Sequence, residues 1–194
     1  MNKIHITRNH TGKMMGLSSI NTSALDNEFC VGNENQICQK CYSKRLESFR
    51  PGMRDLFKNN GKLLSQSIIP TEQLPNTLST TRFNSFGELI NETHFINLVN
   101  IALKNSSVIF TLWTKRIDLA NTLIKPDNMI FIYSTPFINT SDLIRPAGFD
   151  KVFSVYTKEY ARENKIKINC KGPCLNCKIC YTKNRVINIR EILK

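Results

Sequence analysis

Residues 108–134 read VIFTLWTKRIDLANTLIKPDNMIFIYS, and this stretch decides the fold. Two runs, 108–114 and 129–134, are β-branched and aromatic almost throughout, without polar alternation. Such strands are covered on both faces, as in parallel sheets. Between them, residues 118–124 read as a short helix, which makes the unit strand, crossover, strand. Working outward, residues 152–156 (VFSVY) repeat the signal downstream, and residues 77–84 (TLSTTRFN) and 14–23 (MMGLSSINTS) read as strands upstream. Residues 89–104 form an amphipathic helix with Phe95, Leu98, Val99, Ala102 and Leu103 facing inward. Residues 42–66 suit helix, interrupted or restarted at Pro51-Gly52. Residues 158–164 look helical, 166–168 form a brief final strand, and the tail 185–193 packs behind as a strand or helix end.

Six strand candidates with helical crossovers indicate an α/β protein, a partial (β/α)6-type parallel barrel or sheet. Residues 1–165 form the core and residues 166–194 a C-terminal cysteine-rich cluster-binding segment, the two making one compact unit. In such folds ligands gather at the C-terminal ends of the strands.

The 194 residues suffice for one substantial core, and 41% hydrophobic with 22% charged residues is ordinary for a globular protein. No run approaches the roughly 20 apolar residues of a membrane span, and Met1–His5 lacks the apolar core of a secretory signal. A cytoplasmic protein without membrane association is expected. The formal charge of +12 favours an anionic partner or substrate, a nucleotide or nucleic acid. A Lys- and Asn-rich composition without such a role is the plain alternative.

The seven cysteines fall in two groups, with none from residue 42 to residue 169. An odd count, tightly clustered, points to metal rather than disulfides. The first group is Cys30-x7-Cys38-x2-Cys41, followed by Tyr42. Three thiolates leave one iron of a four-iron cluster without a protein ligand, open to a small molecule. Zinc with a fourth ligand is the competing reading. Of the histidines, His5 and His10 read as exposed in the N-terminal arm and His94 as a surface residue of its helix. The second group, Cys170-x3-Cys174-x2-Cys177-x2-Cys180, contains the compact C-x2-C-x2-C run of bacterial ferredoxins. A closed four-iron cluster is favoured over zinc there, because zinc ribbons separate two C-x2-C pairs by a longer loop. Two such clusters would lower the net charge to roughly +9.

With its cysteine triplet after the first strand, the chain resembles the radical S-adenosylmethionine superfamily. The family spacing is C-x3-C-x2-C; Cys38 and Cys41 match the final pair, while Cys30 stands further upstream. After strand two the family carries Gly-Gly-Glu, which receives the amino group of the cofactor; Ser85-Phe86-Gly87-Glu88 matches in Gly87 and Glu88, with Phe86 in place of the first glycine. The resemblance implies two 4Fe-4S clusters, the second auxiliary. S-adenosylmethionine would lie on the open iron, with an electron donor such as flavodoxin or ferredoxin. It implies reductive cleavage of the cofactor and radical chemistry on an unknown substrate.

Cys30, Cys38 and Cys41 are then the ligands of the open cluster, and Gly87 and Glu88 the cofactor contacts. Strand ends add Lys115, able to reach a carboxylate, and the hydroxyls of Thr114, Ser134, Thr135 and Thr157, able to reach a ribose. Trp113 and Tyr133 read as core. Gly87-Glu88 also reads as a plain strand-to-helix turn with a helix-N-terminal acid. The alternative function is a non-catalytic, metal-stapled nucleic-acid-binding protein, with Lys44, Arg45, Arg50, Arg54 and Lys58 on phosphates. Those five residues equally suit the solvated face of a helix.

Overall fold

The computed structural model describes residues 3–9, 11–120, 124–140 and 144–193. The described strands are β1 (Thr7–Arg8), β2 (Ser18–Ile20), β3 (Thr81–Phe83), β4 (Phe110–Thr114), β5 (Met129–Ile138), β6 (Lys151–Tyr156) and β7 (Asn188–Ile192). They form one sheet in chain order. β1 is antiparallel to β2, and every later neighbour is parallel. The described helices are α1 (Glu28–Val31), α2 (Gln36–Gln39), α3 (Tyr42–Phe49), α4 (Pro51–Gln66), α5 (Glu92–Lys104), α6 (Ile117–Ala120), α7 (Lys158–Glu163) and α8 (Cys174–Cys177).

The two faces of the sheet explain its unalternating apolar strands. On one face Ile20, Phe83, Phe110, Leu112, Met129 and Phe131 pack with Leu64 of α4 and Phe95, Leu98, Val99 and Ala102 of α5. The ring of Phe83 stacks on Phe110 at 5.1 Å, and Phe95 meets Phe131 edge-on at 5.8 Å. The intervening residues Trp113, Ile130, Ile132 and Ile189 point to the other face. There Leu17, Cys180 and Tyr181 cover them, with Cys170 and Cys174 alongside. The cysteine-rich segment thus supplies the second covering layer that helices provide on the first.

Pro51 opens α4, where its missing N–H costs nothing, so the Pro51-Gly52 pair restarts a helix after α3. Asparagines then hold the layers together. Asn60, fully buried in α4, accepts from the His5 amide at 2.7 Å and donates to the carbonyls of His5 and Asn21. Asn97 does the same between α5 and the end of α4.

Lys13, in the turn between β1 and β2, reaches Glu191 in β7 at 2.8 Å. This ion pair joins the two ends of the strand order. No helix among the described residues is long and apolar enough to cross a membrane.

Several expectations are corrected. The first parallel strand is three residues long, because residues 11–16 form a turn with Gly12 and Gly16 at positive φ. Residues 166–168 form no strand; the last strand is β7, in the tail, paired with β6. Residues 166–194 contribute β7 to the same sheet as residues 1–165. Leu103 is 57% exposed rather than inward, and His94 is fully buried rather than on the surface. Asn91 at the α5 N-cap accepts the His94 backbone N–H at 2.9 Å, and the buried imidazole accepts the Ile90 N–H on its Nδ1 at 3.2 Å. The helix expected over 118–124 is described as α6 up to Ala120; residues 121–123 and His10 lie outside the described residues.

Candidate metal centres

The loop after β2 carries the triplet across the C-terminal ends of the strands. Asn27 caps α1, accepting the backbone N–H of Cys30, while its Nδ2 donates to the carbonyl of Glu88 at 2.9 Å. Cys38 sits in α2, which rests against β5; the Gln36 side chain accepts the Ile138 N–H at 3.2 Å. Cys41 precedes α3. The buried Glu47 carboxylate of α3 reaches back to the loop, accepting from the Ser23 hydroxyl at 2.6 Å and the Ala24 N–H at 2.9 Å. Asp26 in the same loop pairs with Arg54 and Lys58 of α4. Its carboxyl is held well below the usual range, chiefly by the Arg54 hydrogen bond.

The three thiols are near enough to act on one another. Burial pushes the Cys30 thiol up to about 12, reinforced by the Glu88 carboxylate and by Cys41 and Cys38, and opposed by the Lys115 ammonium. Burial also raises Cys38, again against Lys115. The loop after β3 meets them. Gly87 has φ +73°, and a Cβ there would overlap the carbonyl and side-chain oxygens of Thr22, so only glycine lets the two loops touch. The Glu88 carboxylate is buried and holds three donors: the Leu89 N–H at 2.8 Å, the Thr114 hydroxyl, and the Lys115 N–H at 2.8 Å. Burial pushes its carboxyl up, against those donors and the Lys115 charge. The Lys115 ammonium reaches the Ser134 hydroxyl at 3.4 Å.

Of the expected site residues, Gly87, Glu88, Lys115 and Ser134 thus gather with the triplet at the ends of β2 to β5. Thr157 does not join them; its hydroxyl caps α7, accepting from the Tyr160 N–H at 3.2 Å.

The quartet lies on the other face of the sheet. The Gly172-Pro173 turn leads into α8, and Lys178 at φ +51° reverses the chain between Cys177 and Cys180. The Cys174 N–H is anchored on the Lys13 carbonyl at 2.8 Å. Lys13 Nζ donates to the Cys170 Sγ at 3.0 Å. Burial pushes the Cys180 thiol up to about 12, with Arg82 opposing and the other three thiols adding to the rise. All seven cysteines are free thiols. Among the described residues, no three His, Cys, Asp or Glu side chains are gathered as the ligands of a single ion would be. A family model, Gene product 88, matches residues 2–188.

The chain belongs to the gene product 88 family. No curated protein and no solved structure matches it.

In this member of the family, three further residues lie at the first site: Tyr42 and Phe86, whose contacts the sequence did not reveal, and Asn84, which sequence reasoning did not name. Tyr42 donates its hydroxyl to the Ser85 carbonyl, tying the cysteine helix to the β3 loop. Phe86, the departure from Gly-Gly-Glu, wedges its ring between Tyr42 at 5.4 Å and Phe57 at 5.2 Å. Asn84 is buried at φ +58°, and neither of its amide atoms has a protein partner. Its place directly before Ser85-Phe86-Gly87-Glu88 was the one available signal.

Proposed function

We propose that the chain is an iron–sulfur enzyme of the radical S-adenosylmethionine type. One observation carries this reading. The triplet loop and the Gly87-Glu88 loop, far apart in sequence, are stitched into one surface at the C-terminal strand ends, with Lys115 and Ser134 beside them. The parallel strands β2 to β7 lie side by side in chain order, which supports a partial (β/α)6-type barrel drawn together by the Lys13–Glu191 pair.

The donor set suits two 4Fe-4S clusters: three thiols leave an iron open and four close the second. When bound, the open cluster and S-adenosylmethionine supply one-electron cleavage of a carbon–sulfur bond and a radical that abstracts hydrogen, the electron coming from a flavodoxin- or ferredoxin-type donor. Cys30, Cys38 and Cys41 hold the irons. Glu88 keeps acceptor capacity on Oε2, which accepts the Lys115 N–H, and this oxygen receives the cofactor's ammonium. The Gly87 backbone allows close approach, Lys115 takes the carboxylate, and Ser134 the ribose. Cys170, Cys174, Cys177 and Cys180 hold the auxiliary cluster.

The substrate is anionic, of nucleotide or nucleic-acid type. Residues 164–190 contain seven Lys and Arg and no Asp or Glu, and such a surface attracts phosphate. A cytoplasmic setting keeps the thiols reduced.

Replacement of Cys38 by Ala tests the assignment. Spectra of the reduced variant should lose one cluster and all response to S-adenosylmethionine while the quartet's signal persists. Loss of both clusters together would mean that the two groups share one site.

A further inference from the structure

The quartet is surrounded by positive charge that its neighbourhood does not balance. Lys13 Nζ lies 3.0 Å from the Cys170 Sγ and 3.2 Å from its carbonyl, and shares its charge with Glu191 at 2.8 Å. The Arg82 guanidinium, in β3, lies 3.8 Å over the Trp113 ring, which packs in one cluster with Cys180 and Tyr181 and against Cys174. The buried Arg82 Nε has no hydrogen-bond partner. Lys151 is 1% exposed; its ammonium donates to the Asn184 side chain at 2.9 Å and the Val186 carbonyl at 2.8 Å, and its charge reaches Cys180. Asp150, near Lys151, is paired with Lys125. Three cations therefore face the quartet with one carboxylate, Glu191, among them.

Holding three cations together, Lys151 buried and Lys13 and Arg82 partly so, is costly unless something negative lies between them. Four thiolates around an oxidised four-iron core carry about two negative charges in total, and about three after one electron is added. The surplus of cations favours the more negative state. A hydrogen bond from Lys13 to a ligating sulfur acts in the same direction, because donors to cluster sulfurs raise the reduction potential.

We propose that Lys13, Arg82 and Lys151 tune the quartet's cluster to accept an electron, so that this site is redox-active and not merely a structural staple. The inference rests on the iron–sulfur reading above. The step is the transfer of one electron from an external low-potential reductant to the core, with no bond made or broken and no proton moved.

The test is a redox titration of anaerobically prepared holoprotein, followed by the reduced-cluster spectrum, with iron and sulfide measured on each sample. In Lys13→Met the quartet should keep its iron while reduction becomes at least tenfold harder, a fall of at least about 59 mV for a one-electron couple. Lys13→Arg should restore most of the wild-type potential. Glu191→Gln, which removes the opposing carboxylate without touching a cysteine, should shift the potential upward even if Lys13→Met loses iron. Intact clusters with unmoved potentials in both Lys13→Met and Glu191→Gln would overturn the tuning role and leave the iron–sulfur reading standing. Zinc at the quartet, or no sulfide, would overturn that reading and the tuning with it.

Discussion

Gly87 bears two constraints at once: a left-handed backbone and a contact with Thr22 that leaves no room for a side chain. Gly87→Ala should therefore lower stability by about 1–3 kcal/mol from the backbone alone, with more from the displaced Thr22. Urea denaturation should show a lower midpoint, and an unchanged one would contradict the close approach of the two loops. Gly87 and Glu88 were visible in the sequence because their chemistry is local. The meaning of Phe86 was not, since its ring is held by Tyr42 and Phe57 from other elements.

His94 shows the same limit from the other side. Its spacing suited a surface position, but burial pushes its imidazole down from about 6.5 to about 3. Between these values the unfolded chain binds a proton that the folded chain refuses. The resulting penalty is absent above pH 6.5 and grows as pH falls, by about 1.4 kcal/mol per pH unit. From pH 6.5 to pH 5, wild type should lose about 2 kcal/mol more than His94→Gln, as read from parallel urea titrations. Superimposable pH profiles would show that His94 is not buried as a neutral group.

At the scale of elements, α3 acts as a clamp on the loop that delivers Cys30. Glu47 satisfies the Ser23 hydroxyl and the Ala24 N–H in a site closed to water. Glu47→Ala leaves the Ala24 N–H unpaired, the Ser23 hydroxyl keeping the Asp26 carboxylate at 2.8 Å, and should cost about 1–3 kcal/mol. It should also reduce the iron retained by the triplet more than that retained by the quartet. Equal retention at both sites would mean that α3 does not position the loop. The apolar strands β4, β5 and β6 were legible because burial on both faces leaves a compositional mark. The shortness of β2 was hidden, since the turn at Gly12 and Gly16 lies within a stretch that reads as strand.

For the molecule as a whole, the parallel α/β order followed from alternating strand and helix signals, whereas the closing contacts did not. β7 joins the sheet through register with β6, and Lys13 meets Glu191 across the whole chain. Neither relation leaves a local trace in the sequence. The cysteine spacing suggests metal binding from the sequence alone, but only the fold places the triplet at the strand ends and the quartet on the covered face.

Iron and acid-labile sulfide in anaerobically purified protein, with reduced-state spectra before and after addition of S-adenosylmethionine, test directly the proposal of two iron–sulfur clusters, one of them open to the cofactor. About eight irons per chain, with one of two cluster signals shifted by the cofactor, is the result expected. Zinc without sulfide, or spectra indifferent to the cofactor, would contradict it.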